Sequence, residues 1–184
     1  MARLRFSSAQ QVVEAFPCLK QDLSLPTNGD EPFFYIDRLL QSPKQHEALA
    51  FCAFLLPRRE AVEWLCKSIR TSSQALSEKD GKLLGLAEDW IKTPGETTRQ
   101  KALSASLNEI KDTASVWAAL AAAWSGGSMT SNAEHPVPPP NHLTGLAVKL
   151  GMRVLLAYLP PTRQTECIMQ FTRSAILMLN EDKT

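Results

Sequence analysis

The sequence predicts a single all-α domain of about eight helices, and three observations carry that prediction. Apolar residues recur at helical spacing in segment after segment. Proline or an N-cap cluster stands at the head of several of these stripes. No run alternates with period two between turn signals, so no sheet is expected, and no repeat of fixed period is present. The 184 residues, 44% hydrophobic and 21% charged, are enough for a soluble domain whose core needs neither disulfide nor metal.

In the N-terminal segment, 1–41, Ser8 is placed to cap a short helix carrying Val12, Val13 and Phe16, which Pro17 stops. Asp22–Asp30 (DLSLPTNGD) holds turn formers without periodicity and reads as a loop. Pro32 suits the first turn of the next helix, with Phe33, Ile36 and Leu40 behind it.

The densest core-forming stretch is Ala48–Arg70, ALAFCAFLLPRREAVEWLCKSIR. Ser42-Pro43-Lys44-Gln45 reads as a capping box ahead of it. Leu49, Ala53 and Leu56 share a face that Phe54 extends, and Pro57 separates this helix from a second one. There Ala61, Val62, Leu65, Cys66 and Ile69 form a stripe about two rows wide. Arg59, Glu63 and Lys67 are spaced i,i+4 on the opposite face, each pair contributing about 0.3 kcal/mol. The two helices read as the central hairpin of the core.

Ser77-Glu78-Lys79-Asp80 is a second cap, ahead of Leu83, Leu84, Ala87, Trp90 and Ile91. Gly81 and Gly85 weaken that helix by about 1 kcal/mol each unless they admit another backbone. Thr93-Pro94-Gly95-Glu96 reads as a third cap, for a polar helix at the periphery whose buried row is Leu103, Leu107 and Ile110. In Thr113–Ser125, Val116, Trp117, Leu120 and Trp124 share a face beside a smooth alanine flank, and Gly126-Gly127 ends the helix. The proline-rich loop, 128–141, contains Pro136, Pro138, Pro139 and Pro140. Its proline run favours polyproline II and reads as a strap or partner-binding element. Leu143–Leu159 is apolar on most sides, with Lys149 and Arg153 as a solvent edge. After Pro160-Pro161, Cys167, Ile168, Phe171, Ala175, Ile176 and Leu179 make a last stripe before a polar tail.

The chemistry expected of this chain is defined mostly by exclusion. A net charge of +1 with Lys and Arg interleaved among acids argues against a nucleic-acid partner. Arg-containing but polar, the N-terminus lacks a signal peptide's apolar region, and no apolar run approaches a bilayer span, so membrane insertion is not expected and the cytoplasm is. Cys18, Cys52, Cys66 and Cys167 read as small buried hydrophobes in a reducing compartment. Metal-ligand spacings are missing, and His135 and His142 bracket irregular backbone. Phosphate loops and the nucleophile elbow are missing as well. Ser125-Gly126-Gly127-Ser128 follows a helix instead of opening one, so it reads as a C-cap. Neither cofactor nor catalytic residue is expected.

Candidate partner contacts remain. Arg58 and Arg59 at the proline corner could hold a carboxylate or phosphate, although an exposed turn with an Arg59–Glu63 pair is the favoured explanation, since surface arginines are common. Of the four tryptophans, Trp64 flanks its stripe and is the one expected to be partly exposed. With Gly126, Gly127, Pro136, Pro138, Pro139 and Pro140, these residues make up the expected interaction surface.

Three blocks, FLLPRREAVEWLCKSIR (Phe54–Arg70), VWAALAAAWSGGSM (Val116–Met129) and VPPPNHLTGLAV (Val137–Val148), resemble a family of bacterial proteins known only as a domain of unknown function. The resemblance runs from about Ala48 to the C-terminal helix. Members of that family sit near type VI secretion genes, beside those for adaptors, spike tips and effectors. The resemblance therefore implies a non-catalytic accessory, adaptor or chaperone with a protein partner, a secretion component or effector. An immunity protein that neutralises a cognate toxin is the alternative, and an enzyme with an unrecognised pocket is the third reading. The family assigns no catalytic residues, and the oligomeric state stays open.

Overall fold

The computed structural model describes residues 4–72, 76–130 and 134–180. Among them it is all-helical, with nine α-helices, one short 3-10 turn and no strand. The expected polar tail from 181 onward and residues 131–133 of the proline-rich loop lie outside the described residues. The chain forms two compact units: Met1–Pro57 with Leu159–Thr184, and Arg58–Tyr158 between those two pieces.

The first unit holds α1 (Ala9–Ala15), the 3-10 turn Pro17–Gln21, α2 (Pro32–Leu40), α3 (His46–Leu55) and α9 (Pro161–Asn180). Ser8 caps α1 by accepting the Gln11 N–H, and Pro32 opens α2, as the sequence predicts. The Asp22–Asp30 loop is tied down from the helices that follow it. Glu47 accepts from the Ser24 N–H and hydroxyl, Tyr35 donates to the Ser24 carbonyl, and Asp30 pairs with Arg38 at 2.6 Å. Glu47 through Leu55 are all buried, so α3 is covered on every side instead of along one face. It packs on α2 and α9, with the Phe51 ring edge-on to Tyr35 at 4.8 Å. Ser42 does not cap α3. Its hydroxyl donates to the Leu39 carbonyl and accepts the Lys44 N–H, closing the end of α2.

The second unit holds α4 (Arg58–Ser72), α5 (Glu78–Lys92), α6 (Glu96–Ser106), α7 (Ala114–Ala123) and α8 (Leu143–Ala157). Pro57 is the last residue of the first unit's N-terminal piece and Arg58 opens the second, so α3 belongs to the first unit and α4 to the second. Helix α7 is the hub and packs on α4, α5, α6 and α8. Its alanines make this possible, because a side chain of one carbon lets neighbours approach from several directions. Leu83, Val116, Ala119 and Leu120 form a tight cluster here, with Ala105, Trp117 and Trp124 packed against it.

Several local expectations are corrected. The close helix approach is at Gly151 of α8, where a Cβ would lie 2.7 Å from a Leu65 methyl and 3.1 Å from Trp117 Cβ. Gly81 and Gly85 face open space. Thr93 does not cap α6; Gly95 stands at its N-cap position, two residues later. The helix stops at Ser106, leaving Leu107 and Ile110 48% and 73% exposed. Its buried row is instead Arg99, Ala102, Leu103 and Ser106. Lys149 is buried, so only Arg153 of the expected solvent edge faces outward. Cys52, Cys66 and Cys167 are buried as expected, Cys18 is only half-buried, and none of the four forms a disulfide; burial pushes the Cys52 thiol up to about 12.

Candidate interaction site

A helix of α7's length leaves its last carbonyls without intrahelical donors, at the negative end of its dipole. In this protein an arginine and a serine supply donors to the last two carbonyls of α7, and a threonine and a second arginine to the two carbonyls that follow. Arg99, buried on α6, donates Nη1 to the Ala123 carbonyl at 2.7 Å. Its Nε and Nη2 hold both oxygens of Glu96, at 2.8 and 2.6 Å. Thr144 donates to the Trp124 carbonyl at 3.0 Å and Ser125 Oγ to the Ala122 carbonyl at 2.6 Å. Arg58, the first residue of α4, donates to the Ser125 carbonyl at 2.8 Å and, through its other terminal nitrogen, to Asn141 Oδ1 at 2.9 Å.

Those bonds explain the two glycines. Gly127 has φ of +61°, and a Cβ there would lie 2.6 Å from both Arg99 Nε and Glu96 Oε2. The sequence predicts the C-cap at Gly126-Gly127, but Trp124 holds that position; Gly127, three residues further on, is the point where the backbone passes over the arginine–glutamate pair. Gly126 has open space around it. Hydrogen bonds from Arg99 and then from the Gln100 amide, together with the Arg99 charge, bring the Glu96 carboxyl down to about 2.

Beyond the glycines, the proline-rich loop is held at several points. The Met129 N–H donates to the Val137 carbonyl at 2.8 Å, and the Val137 N–H to Ser128 Oγ at 3.0 Å. The Leu143 N–H closes the far end on the Pro140 carbonyl at 3.0 Å. Pro136, Pro138 and Pro140 are exposed and Pro139 is half-buried. The structure thus brings Arg58, Gly126, Gly127 and the proline segment to one place.

Two expected members do not join it. Arg59 reaches away and donates Nε to the Ile91 carbonyl, near the end of α5, at 2.8 Å. Its expected partner Glu63 instead pairs with Lys67 at 2.9 Å. Trp64 is 0% exposed, contrary to expectation, and offers a partner nothing. The cause is the width of the buried face of α4, which takes in Ala61, Val62, Trp64, Leu65, Cys66, Ser68 and Ile69. Conversely, Arg99 and Asn141 were missed by the sequence reading. Counting back four from Leu103 places Arg99 in the buried row, and a buried arginine requires partners; that signal could have found it.

Among the described residues no three His, Cys, Asp or Glu side chains gather as metal ligands, and no helix is long and apolar enough to cross a membrane. What the cluster presents to solvent is shape: an anchored, uncharged proline segment beside a helix end. Comparison with known families matches residues 35–179 to DUF6931, a family of unknown function. The chain belongs to this family. The DUF6931 match takes in the whole cluster, and it reaches back to Tyr35 on α2, further than the resemblance from Ala48 implied. Neither the curated proteins nor the solved structures yield a match for this DUF6931 chain.

Proposed function

We propose that this DUF6931 protein is a cytoplasmic, non-catalytic interaction module, an accessory, adaptor or chaperone for a type VI secretion component or effector. The observation that carries the reading is the cluster in which Arg58 and the end of α7 hold an exposed proline segment in place. Polar side chains there are turned to backbone carbonyls and to one another, an arrangement suited to presenting a surface. The class of partner comes from the resemblance of its three sequence blocks to bacterial proteins encoded beside type VI secretion genes.

The test is affinity purification of the full chain from its source cells, paired with deletion of its gene. An adaptor or chaperone recovers a secretion-locus protein, and its deletion abolishes delivery of one effector without harm to the producing cell. Recovery of no such protein overturns the reading. Sensitivity of the deletion strain to a neighbouring toxin replaces it with an immunity role.

A further inference from the structure

We infer that the segment Pro136–Pro140 is a preformed polyproline II ligand that seats the Val137/Pro140 edge in a groove of the protein partner lined by aromatic side chains. The inference rests on the interaction role proposed above and names the chemistry of the partner.

Backbone geometry is the first support. Proline rings fix φ at Pro136, Pro138, Pro139 and Pro140, and the residue before each proline is held away from helical geometry. Polyproline II repeats every three residues, so Val137 and Pro140 lie on one edge. Both are exposed, Val137 by 43%, and Pro138 beside them is exposed as well, while Pro139 is the least exposed of the run. Anchoring is the second support. The Val137 N–H and carbonyl are tied to Ser128 and Met129, the Pro140 carbonyl to Leu143, and Asn141 to Arg58. The entropy of ordering a linear peptide on binding has therefore already been met in folding.

Hydrogen-bonding capacity is the third. The four prolines have no N–H, and among the described residues no donor reaches the Pro138 or Pro139 carbonyl. Two acceptors on an apolar, uncharged ridge match a groove whose tryptophan N–H or tyrosine O–H donates while its rings cover the proline faces. An acidic or phosphate-bearing partner is disfavoured, because Arg58, the cation bonded to Asn141 beside the run, is already engaged with Ser125 and Asn141.

The experiment places a photo-reactive benzoylphenylalanine at His135, and separately at Lys67 on α4, in the full chain produced in its source cells. Captured partners are mapped by mass spectrometry and purified, and their affinity is measured by calorimetry against wild type and Pro138→Ala/Pro140→Ala. Thermal unfolding verifies that each variant is folded. The expected result is a cross-link from His135 to a partner surface bearing Trp, Tyr or Phe, with affinity lowered about tenfold by the double substitution. A partner whose affinity the double substitution leaves unchanged overturns the inference while the interaction role stands. So does a His135 cross-link to a site without aromatic residues or to a second copy of this chain. Capture of nothing at either position overturns both.

Discussion

At Gly127 two constraints coincide, a left-handed backbone and a neighbour where a side chain would begin. Alanine there incurs about 1–2 kcal/mol of backbone strain and also displaces the Arg99–Glu96 pair. We expect Gly127→Ala to lower the thermal midpoint clearly, whereas Gly126→Ala, in open space, shifts stability by less than about 0.5 kcal/mol. In the opposite direction, Gly85→Ala on α5 meets no atom and gains helix propensity, so stability rises by up to about 1 kcal/mol in denaturant titration. Gly151→Ala presses on Leu65 and loses about 1–3 kcal/mol despite the same propensity gain. Sequence alone offered no way to rank these glycines. Gly85 and Gly151 both sit inside helical patterns, Gly126 and Gly127 are adjacent in one turn, and only the packing partner, remote in sequence, separates the tolerated position of each pair from the crowded one.

Helix ends account for most of what could and could not be read at the scale of the element. Ser8 and Ser77 cap as expected because each hydroxyl faces only the first turn of its own helix. Ser42 matches the same pattern, but its hydroxyl is drawn back to the Leu39 carbonyl. A local signature cannot show which of two adjacent helix ends will take the group. The α7 terminus is the extreme case, since its donors come from α4, α6 and α8. Arg58 and the glycines were legible as candidates; their joint purpose was not, because Arg99 and Asn141 reach the site only through the fold. Removing the buried donor with Arg99→Met leaves the Ala123 carbonyl and Glu96 without it. It should cost about 1–3 kcal/mol by chemical denaturation. The Glu96 carboxyl, brought from 4.5 to about 2 by Arg99 and Gln100, is favoured in its charged form by folding. Its contribution is thus complete above about pH 4.5 and is lost as pH falls toward about 2. Melting curves should show Glu96→Gln less stable than wild type at neutral pH, with the difference vanishing toward pH 2.

For the whole molecule, the all-α class was open to sequence reasoning because most helices carry their own periodicity, α3 and α7 being buried nearly all round. Its division into two units was not, since the boundary at Pro57 looks like any tight helix connection. The second unit, Arg58–Tyr158, is continuous in sequence and has α7 as its own hub. Expressed alone, residues 58–158 should give a helical circular-dichroism spectrum and a cooperative melt; a broad, non-cooperative melt would refute this autonomy. The first unit has no such independence, because α9 must return across the whole insertion to pack on α3. That topology imposes an order of events on the ribosome. When α3 emerges its C-terminal partner has not been translated, and the side of α3 that α9 covers stays open while the entire second unit is made. A nascent chain halted before Pro161 is then the species most exposed to misassociation, and the one that a ribosome-bound holdase would contact longest.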